Sequence, residues 1–277
     1  IKIKLEITYM VTINKIKKEF KQVNIKGAKY ILMVSSAKGG VGKSTFSINL
    51  AFALKNLKKK IGILDADVYG PNISTVFGAD SLAVETQDID GVTKFIPPML
   101  DGIRVMSVGM LAEDGQSLAW RGPILTRLLK QFLFDVAWGD LDFLLIDLPP
   151  GTGDAQITLL QECPLAGVLL VGVPGLSSCA DLRRTIAMYG QFDLPILGYV
   201  ENFSSVHCPN CGHSFDFLLD QIPVGCDHRN DLEPTVRLSI EPDLLTQRGA
   251  ESKALTLDRI HPESFDALFM TCFSLLS

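Results

Sequence analysis

Apolar residues fall along this chain in short continuous runs, separated by stretches of helical periodicity. Residues 30–35, 61–65, 103–107, 143–148, 168–173 and 196–201 read as strands, and residues 44–56, 123–137 and 180–189 as amphipathic helices. Strands that are apolar at every position, not only at alternate ones, are buried on both faces. With helices between them, they predict parallel pairing joined by right-handed crossovers. The expected fold is therefore α/β, a doubly wound and mostly parallel sheet whose ligands sit at the carboxyl ends of the strands. Two regions break the rhythm. Residues 74–102, rich in Asp, Gly and Pro, read as a loop or small hairpin, and residues 203–235 hold a Cys-x-x-Cys with little periodicity. Near the end, Phe265, Leu268, Phe269, Cys272 and Leu276 share one helical face, which predicts a helix over 262–276 packed on the sheet. The expected organisation is a Lys-rich lead, 1–29, and one domain, 30–277, that includes the cysteine segment and this last helix.

Chemistry enters directly after the first strand, where the chain reads Ala37-Lys38-Gly39-Gly40-Val41-Gly42-Lys43-Ser44-Thr45 and then turns helical. Glycines let backbone N–H groups converge on phosphates, and the helix N-terminus adds the positive end of its dipole. A lysine at position 43 reaches the β/γ oxygens, and a hydroxyl at position 44 can ligate Mg²⁺. Residues 38–45 are thus the expected site for ATP with Mg²⁺, with Gly39, Gly40, Val41, Gly42, Lys43, Ser44 and Thr45 as the cradle. Acids stand where such a site needs them. The second strand ends in Asp65-Ala66-Asp67, and the strand at 143–148 delivers Asp147 ahead of Leu148-Pro149-Pro150-Gly151. Asp147 is the expected Mg²⁺ acid, Asp67 the residue that orients the attacking water, and Asp65 a support for the metal.

Charge narrows the partners. The formal charge of −5 is uneven: residues 1–30 hold eight Lys against Glu6 and Glu19, so the remainder is strongly acidic. An acidic body argues against nucleic acid as a partner of the main domain. The longest apolar stretch, 166–173, stops at Pro174 and is too short to span a bilayer, and the terminal helical face has no Lys or Arg after Arg259. No membrane partner is expected, and the chain reads as cytosolic.

Six cysteines, two of them Cys208 and Cys211 in a Cys-x-x-Cys, suit a metal or redox site in a reducing compartment better than a disulfide framework. Two thiolates are half of what a [4Fe–4S] cluster takes. Zinc is an alternative at the same pair, completed within one chain by Cys226 and one of His207, His213 or His228. A thioredoxin-like pair fits less well, because the motif does not open a helix after a strand. Cys163, Cys179 and Cys272 sit in apolar or helical contexts and read as buried free thiols.

The stricter phosphate-loop pattern has Gly where this chain has Ala37, and carries no lysine at position 38. Lys38 makes the loop resemble the deviant Walker A of the MinD/ParA/nitrogenase-iron-protein class, in which the first lysine crosses a dimer interface to the partner's nucleotide. The likeness implies that Lys38 acts in trans, joining Lys43 and Asp67 in the catalytic set. Taken in order, KGGVGKST (38–45), ILDADVYGP (63–71), RGP (121–123), LLIDLPPGTGD (144–154) and PILGYVENF followed by CPNCG (195–212) resemble the Mrp/ApbC family of iron–sulfur cluster carrier ATPases. That resemblance implies a homodimer in which Cys208 and Cys211 of two copies hold a [4Fe–4S] cluster for transfer to apo iron–sulfur proteins, and it implies that Asn202 contacts adenine. The chain departs from the family at 213–235, which lacks the usual glycine cluster, and at Gly175, where the family tends to place Gln. Two other readings of a phosphate loop of this class are a ParA/MinD-type positioning ATPase and a scaffold with a zinc knuckle.

Overall fold

The computed structural model describes residues 25–216 and 234–240, apart from 69, 81, 112–121, 209 and 212. The chain opens with β1 (Ala28–Ser36), α1 (Lys43–Asn56) and β2 (Ile61–Asp65), passes through the single turn α2 (Ile73–Val76), and makes a hairpin of β3 (Glu85–Ile89) and β4 (Val92–Ile96). β5 (Met99–Leu100) and β6 (Ile103–Ser107) return it to the main sheet. There α3 (Gly122–Phe134), β7 (Leu141–Asp147), α4 (Asp154–Glu162), β8 (Gly167–Gly172), α5 (Leu176–Gln191) and β9 (Ile196–Glu201) alternate. A second hairpin, β10 (Ser205–His207) with β11 (Ser214–Asp216), and the short β12 (Val236–Arg237) complete the described elements.

The main sheet runs β12-β9-β8-β1-β7-β2-β6-β5. Every neighbouring pair in it is parallel except β5 with β6. Side chains alternate between its two faces with period two. Ile31 and Met33 of β1 join one core with Leu144 and Ile146 of β7, while Leu32 and Val34 join the other with Phe143 and Leu145. Both faces are covered, which is why the strands carry near-continuous apolar runs. α1 closes one face with Phe46, Ile48, Leu50, Ala51 and Leu54. The other is closed by Leu129 and Phe132 of α3, Leu159 of α4 and Leu182 of α5. Each of the Leu, Ile and Phe side chains contributes about 1.5–3 kcal/mol by leaving water. Gly62 in β2 is fixed by this packing, since a Cβ there would lie 2.7 Å from Leu141 Cδ1 and 3.1 Å from Trp138.

The expected strands are present, with β2, β6 and β9 at the predicted limits. Two details differ. Ile25 is already in the core and β1 begins at Ala28, so the folded core takes in the end of the segment read as a lead. The region 74–102, read as a loop or small hairpin, does hold a hairpin, β3–β4, together with part of α2 and β5. The sequence pattern gives no sign of α4, because Gly151-Thr152-Gly153 reads as loop, yet Ala155, Leu159 and Leu160 bury its inner face. The helix expected over 262–276 and most of the lead lie outside the described residues. Among the described residues, no helix is long and apolar enough to cross a membrane.

Candidate functional site

β1 lies in the interior of the sheet between β7 and β8, so its carboxyl end feeds the phosphate loop into the middle of the sheet edge. The loop turns with Gly40 at φ 75° and Gly42 at φ 83°, left-handed conformations that L side chains rarely adopt. A Cβ on Gly40 would meet nothing within 4 Å, so that side of the loop is open. Gly42 then caps the 14-residue α1, whose first N–H groups and dipole face the same space. This is a cradle for an anion, and it fits nucleotide phosphates. Thr45 is exposed one turn into the helix, and its carbonyl accepts from Asn49 Nδ2 at 2.7 Å.

Lys43 and Asp147, 104 positions apart, meet at the base of the cradle with Nζ 2.8 Å from Oδ2. Ser44 Oγ donates to the same oxygen at 2.6 Å and Ser47 Oγ to Oδ1 at 2.8 Å. Asp147 is fully buried, and these three donors compensate its desolvation. Asp67 Oδ2 lies 3.8 Å from Lys43 Nζ, so one ammonium faces both acids. Ser44 and Asp147 present hard oxygen donors side by side, which fits Mg²⁺. Ser47 is missing from the sequence reading. Its signal is a hydroxyl one helical turn after Lys43 on a face that is otherwise apolar and buried.

Asp65 is turned another way. Its Oδ2 accepts from Ile73 N at 3.1 Å and Ser107 Oγ at 3.0 Å, and its Oδ1 from Asp67 N at 3.2 Å. These bonds tie the end of β2 to α2 and β6, fixing the loop that delivers Asp67. Burial, with the Asp147 carboxylate nearby, pushes the Asp65 carboxyl up to about 7.

Lys38 reaches sideways: its Nζ is 3.3 Å from Asp181 Oδ2 on α5, and Asp181 also pairs with Arg184. The Arg184 guanidinium and Lys38 hold the Asp181 carboxyl below its ordinary value. Asn202, at the end of β9, is buried and donates from Nδ2 to Val41 O at 2.9 Å, so its amide touches the phosphate loop itself. Gly175, the departure noted in the sequence, caps α5 at φ 127°, which a Gln would hold only with strain.

The β10–β11 hairpin carries the cysteines at its tip. Cys208 N donates to His213 O at 2.9 Å, closing the turn, and Cys208 is half-buried while Cys211 is exposed. Both are free thiols. The backbone N–H groups of Cys211 and Asn210, with the Cys211 side chain, draw the Cys208 thiol down, which favours the thiolate a metal takes. Among the described residues, no group of three or more His, Cys, Asp or Glu gathers as a metal centre. Cys226 and His228, the further zinc ligands considered from sequence, lie outside the described residues.

Known proteins resemble this chain in sequence and in fold. An iron–sulfur cluster carrier protein of Helicobacter pylori is 47% identical over 221 residues, covering 77% of this chain and 60% of the relative. One from Escherichia coli K12 is 41% identical over 234 residues, covering 78% and 63%. The chain thus spans about three fifths of the length of these relatives. Among solved structures, a nucleotide-binding protein of Archaeoglobus fulgidus in complex with ADP aligns with a TM-score of 0.65 at 34% identity, covering 80% of this chain and 86% of that one. The septum site-determining protein MinD of Pyrococcus horikoshii, complexed with Mg-ADP, has the same fold at a TM-score of 0.56 and 19% identity, covering 89% and 95%. The family model described as "ParA: NUBPL iron-transfer P-loop NTPase" matches residues 27–270. Its phosphate loop, its acids and its ordered motifs agree with that match and with the Mrp/ApbC resemblance, and the chain belongs to this family of iron-transfer P-loop NTPases.

Proposed function

We propose that this chain is a homodimeric ATPase that binds a [4Fe–4S] cluster between two copies and hands it to apo iron–sulfur proteins. The observation that carries the reading is the cysteine hairpin. Two thiols stand at an exposed tip, one of them drawn toward the thiolate, in a chain whose family is described by iron transfer. One chain supplies two ligands and a [4Fe–4S] cluster takes four, so two hairpins facing each other complete the set. A cluster held at an exposed, shared edge is accessible to a recipient. The cargo is the cluster, and ATP with Mg²⁺ would bind at the phosphate loop.

In this reading Lys43 neutralises the phosphate oxygens, the Ser44 hydroxyl ligates Mg²⁺, and Asp147 holds the metal through water. Asp67 orients the attacking water. Asp65 serves the metal site at one remove, by fixing the loop that carries Asp67. Lys38 leaves Asp181 to reach the partner copy's nucleotide, supplying positive charge in trans. Asn202 takes part through the Val41 carbonyl and through adenine.

The test is anaerobic reconstitution of the full chain. Iron–thiolate absorbance with about one cluster per dimer is expected, and Cys208→Ser abolishes it. Retention of the cluster by Cys208→Ser, or zinc in place of iron in protein purified without oxygen, overturns the reading.

A further inference from the structure

The phosphate loop and the cysteine pair are joined by a short and unusually constrained piece of chain. Asn202 N donates to Gly172 O at 2.8 Å, fixing the end of β9, while its side-chain amide donates to Val41 O at 2.9 Å. The next residue, Phe203, has φ 57°, a conformation that a bulky residue keeps only where its surroundings enforce it. Gly42 of the phosphate loop is its neighbour. A Cβ there would collide with Asn202 Nδ2, so the amide sits close against the loop, and it would lie 3.5 Å from Phe203 Cζ, an ordinary contact, so the ring lies beside the same glycine. On the far side, Ser204 N and Oγ both donate to Leu238 O, at 2.9 and 3.0 Å, and Ile240 N donates to Ser205 O at 2.7 Å. Cys208 follows at the end of β10, five positions after Phe203, a span of at most about 18 Å.

We propose that the Asn202–Phe203 turn couples the two sites mechanically, an inference that rests on residues 38–45 being the nucleotide site but does not require the cysteines to hold a cluster. Reorientation of the Val41 and Gly42 peptides around bound phosphates changes the acceptor of the Asn202 amide and the surface against which the Phe203 ring packs. Ser204, pinned to Leu238, acts as a pivot. The displacement therefore passes along β10 to Cys208 instead of being absorbed in the turn. The Asn202 amide, tight against Gly42, has little space into which to relax when the loop moves. Nucleotide state thus sets the exposure of the Cys208 thiol within each chain.

The experiment is iodoacetamide labelling of the reduced, metal-free full chain, with modification at Cys208 followed by mass spectrometry. Labelling is compared without nucleotide, with MgADP and with a non-hydrolysable Mg-ATP analogue, each at saturation established by a separate titration. In the wild type the Cys208 rate changes by about fivefold or more on nucleotide binding, the lower range for coupled sites. Phe203→Asn, which tolerates the left-handed backbone but lacks the ring, and Phe203→Gly reduce the change to under about twofold. An unchanged urea midpoint verifies the fold of both variants. A wild-type rate indifferent to bound nucleotide overturns the coupling. So does full retention of the response in both variants, which would place its origin in burial by a second copy. Failure of the titration itself overturns the nucleotide reading, and is seen before any labelling.

Discussion

Lys43→Met isolates the electrostatics at the base of the phosphate cradle, because it keeps much of the side-chain volume and removes only the ammonium. In the wild type that ammonium lies 2.8 Å from Asp147 Oδ2 and 3.8 Å from Asp67 Oδ2, and it is itself buried. At an effective dielectric of about 20, a unit pair at 2.8 Å attracts by about 6 kcal/mol, and much of that offsets the desolvation of both ions. Truncating one partner leaves the other buried without compensation, which costs about 3–5 kcal/mol. Asp147 keeps its bonds from Ser44 and Ser47, so the lower end of that range applies. Urea unfolding of nucleotide-free protein in chelator is expected to show a loss of about 3 kcal/mol. Adding Asp147→Asn to Lys43→Met removes the orphaned charge while keeping an acceptor for one serine and offering an amide N–H to the hydroxyl oxygen of the other, so the double variant is more stable than Lys43→Met alone. A loss below about 1 kcal/mol, or a double variant no better than the single one, would show that water reaches Asp147 freely and would refute the account of the site.

Two further predictions concern the neighbouring acids and the extra lysine. Asp65 is raised from 3.8 to about 7, so the folded chain holds a proton that the unfolded chain gives up. Its contribution to stability therefore falls as pH rises through about 4 to about 7, by up to about 1.4 kcal/mol per unit, and is level above that window. Urea titrations across this range should show Asp65→Asn losing that part of the slope, and an identical slope in both proteins contradicts the shift. Lys38→Ala should change stability by no more than about 1 kcal/mol, because its pair with Asp181 is partly exposed. It should leave nucleotide binding intact but depress turnover, and normal turnover in steady-state phosphate release removes the role in trans.

The strands were legible because burial on both faces favours near-continuous apolar runs, a pattern distinct from the polar, Gly- and Pro-rich loops. The phosphate loop was legible because its glycines and lysine are contiguous, so local backbone geometry assembles the cradle. α4 escaped because a nine-residue helix behind Gly-Thr-Gly offers little more than two turns of periodicity. Asp65 and Asp67 were given separate roles, Asp67 with the attacking water and Asp65 with the metal, from their places after one strand. Which of them faces Lys43 depends on Ile73 N and Ser107, which lie on other elements and take up the Asp65 oxygens.

By itself, then, the sequence determined six strands of the main sheet, three of the helices between them, the phosphate loop and the Cys-x-x-Cys spacing of Cys208 and Cys211, all features carried by short-range pattern. Tertiary structure alone decided that Asp147 meets Lys43 and Ser47, that Lys38 rests on Asp181, and that the Asn202 amide holds Val41 across 161 positions. Parallel strands bring their carboxyl ends to one edge whatever their side chains. Which side chains then touch is set by packing and by the need of each buried polar group for a partner, and these are properties of the assembled core.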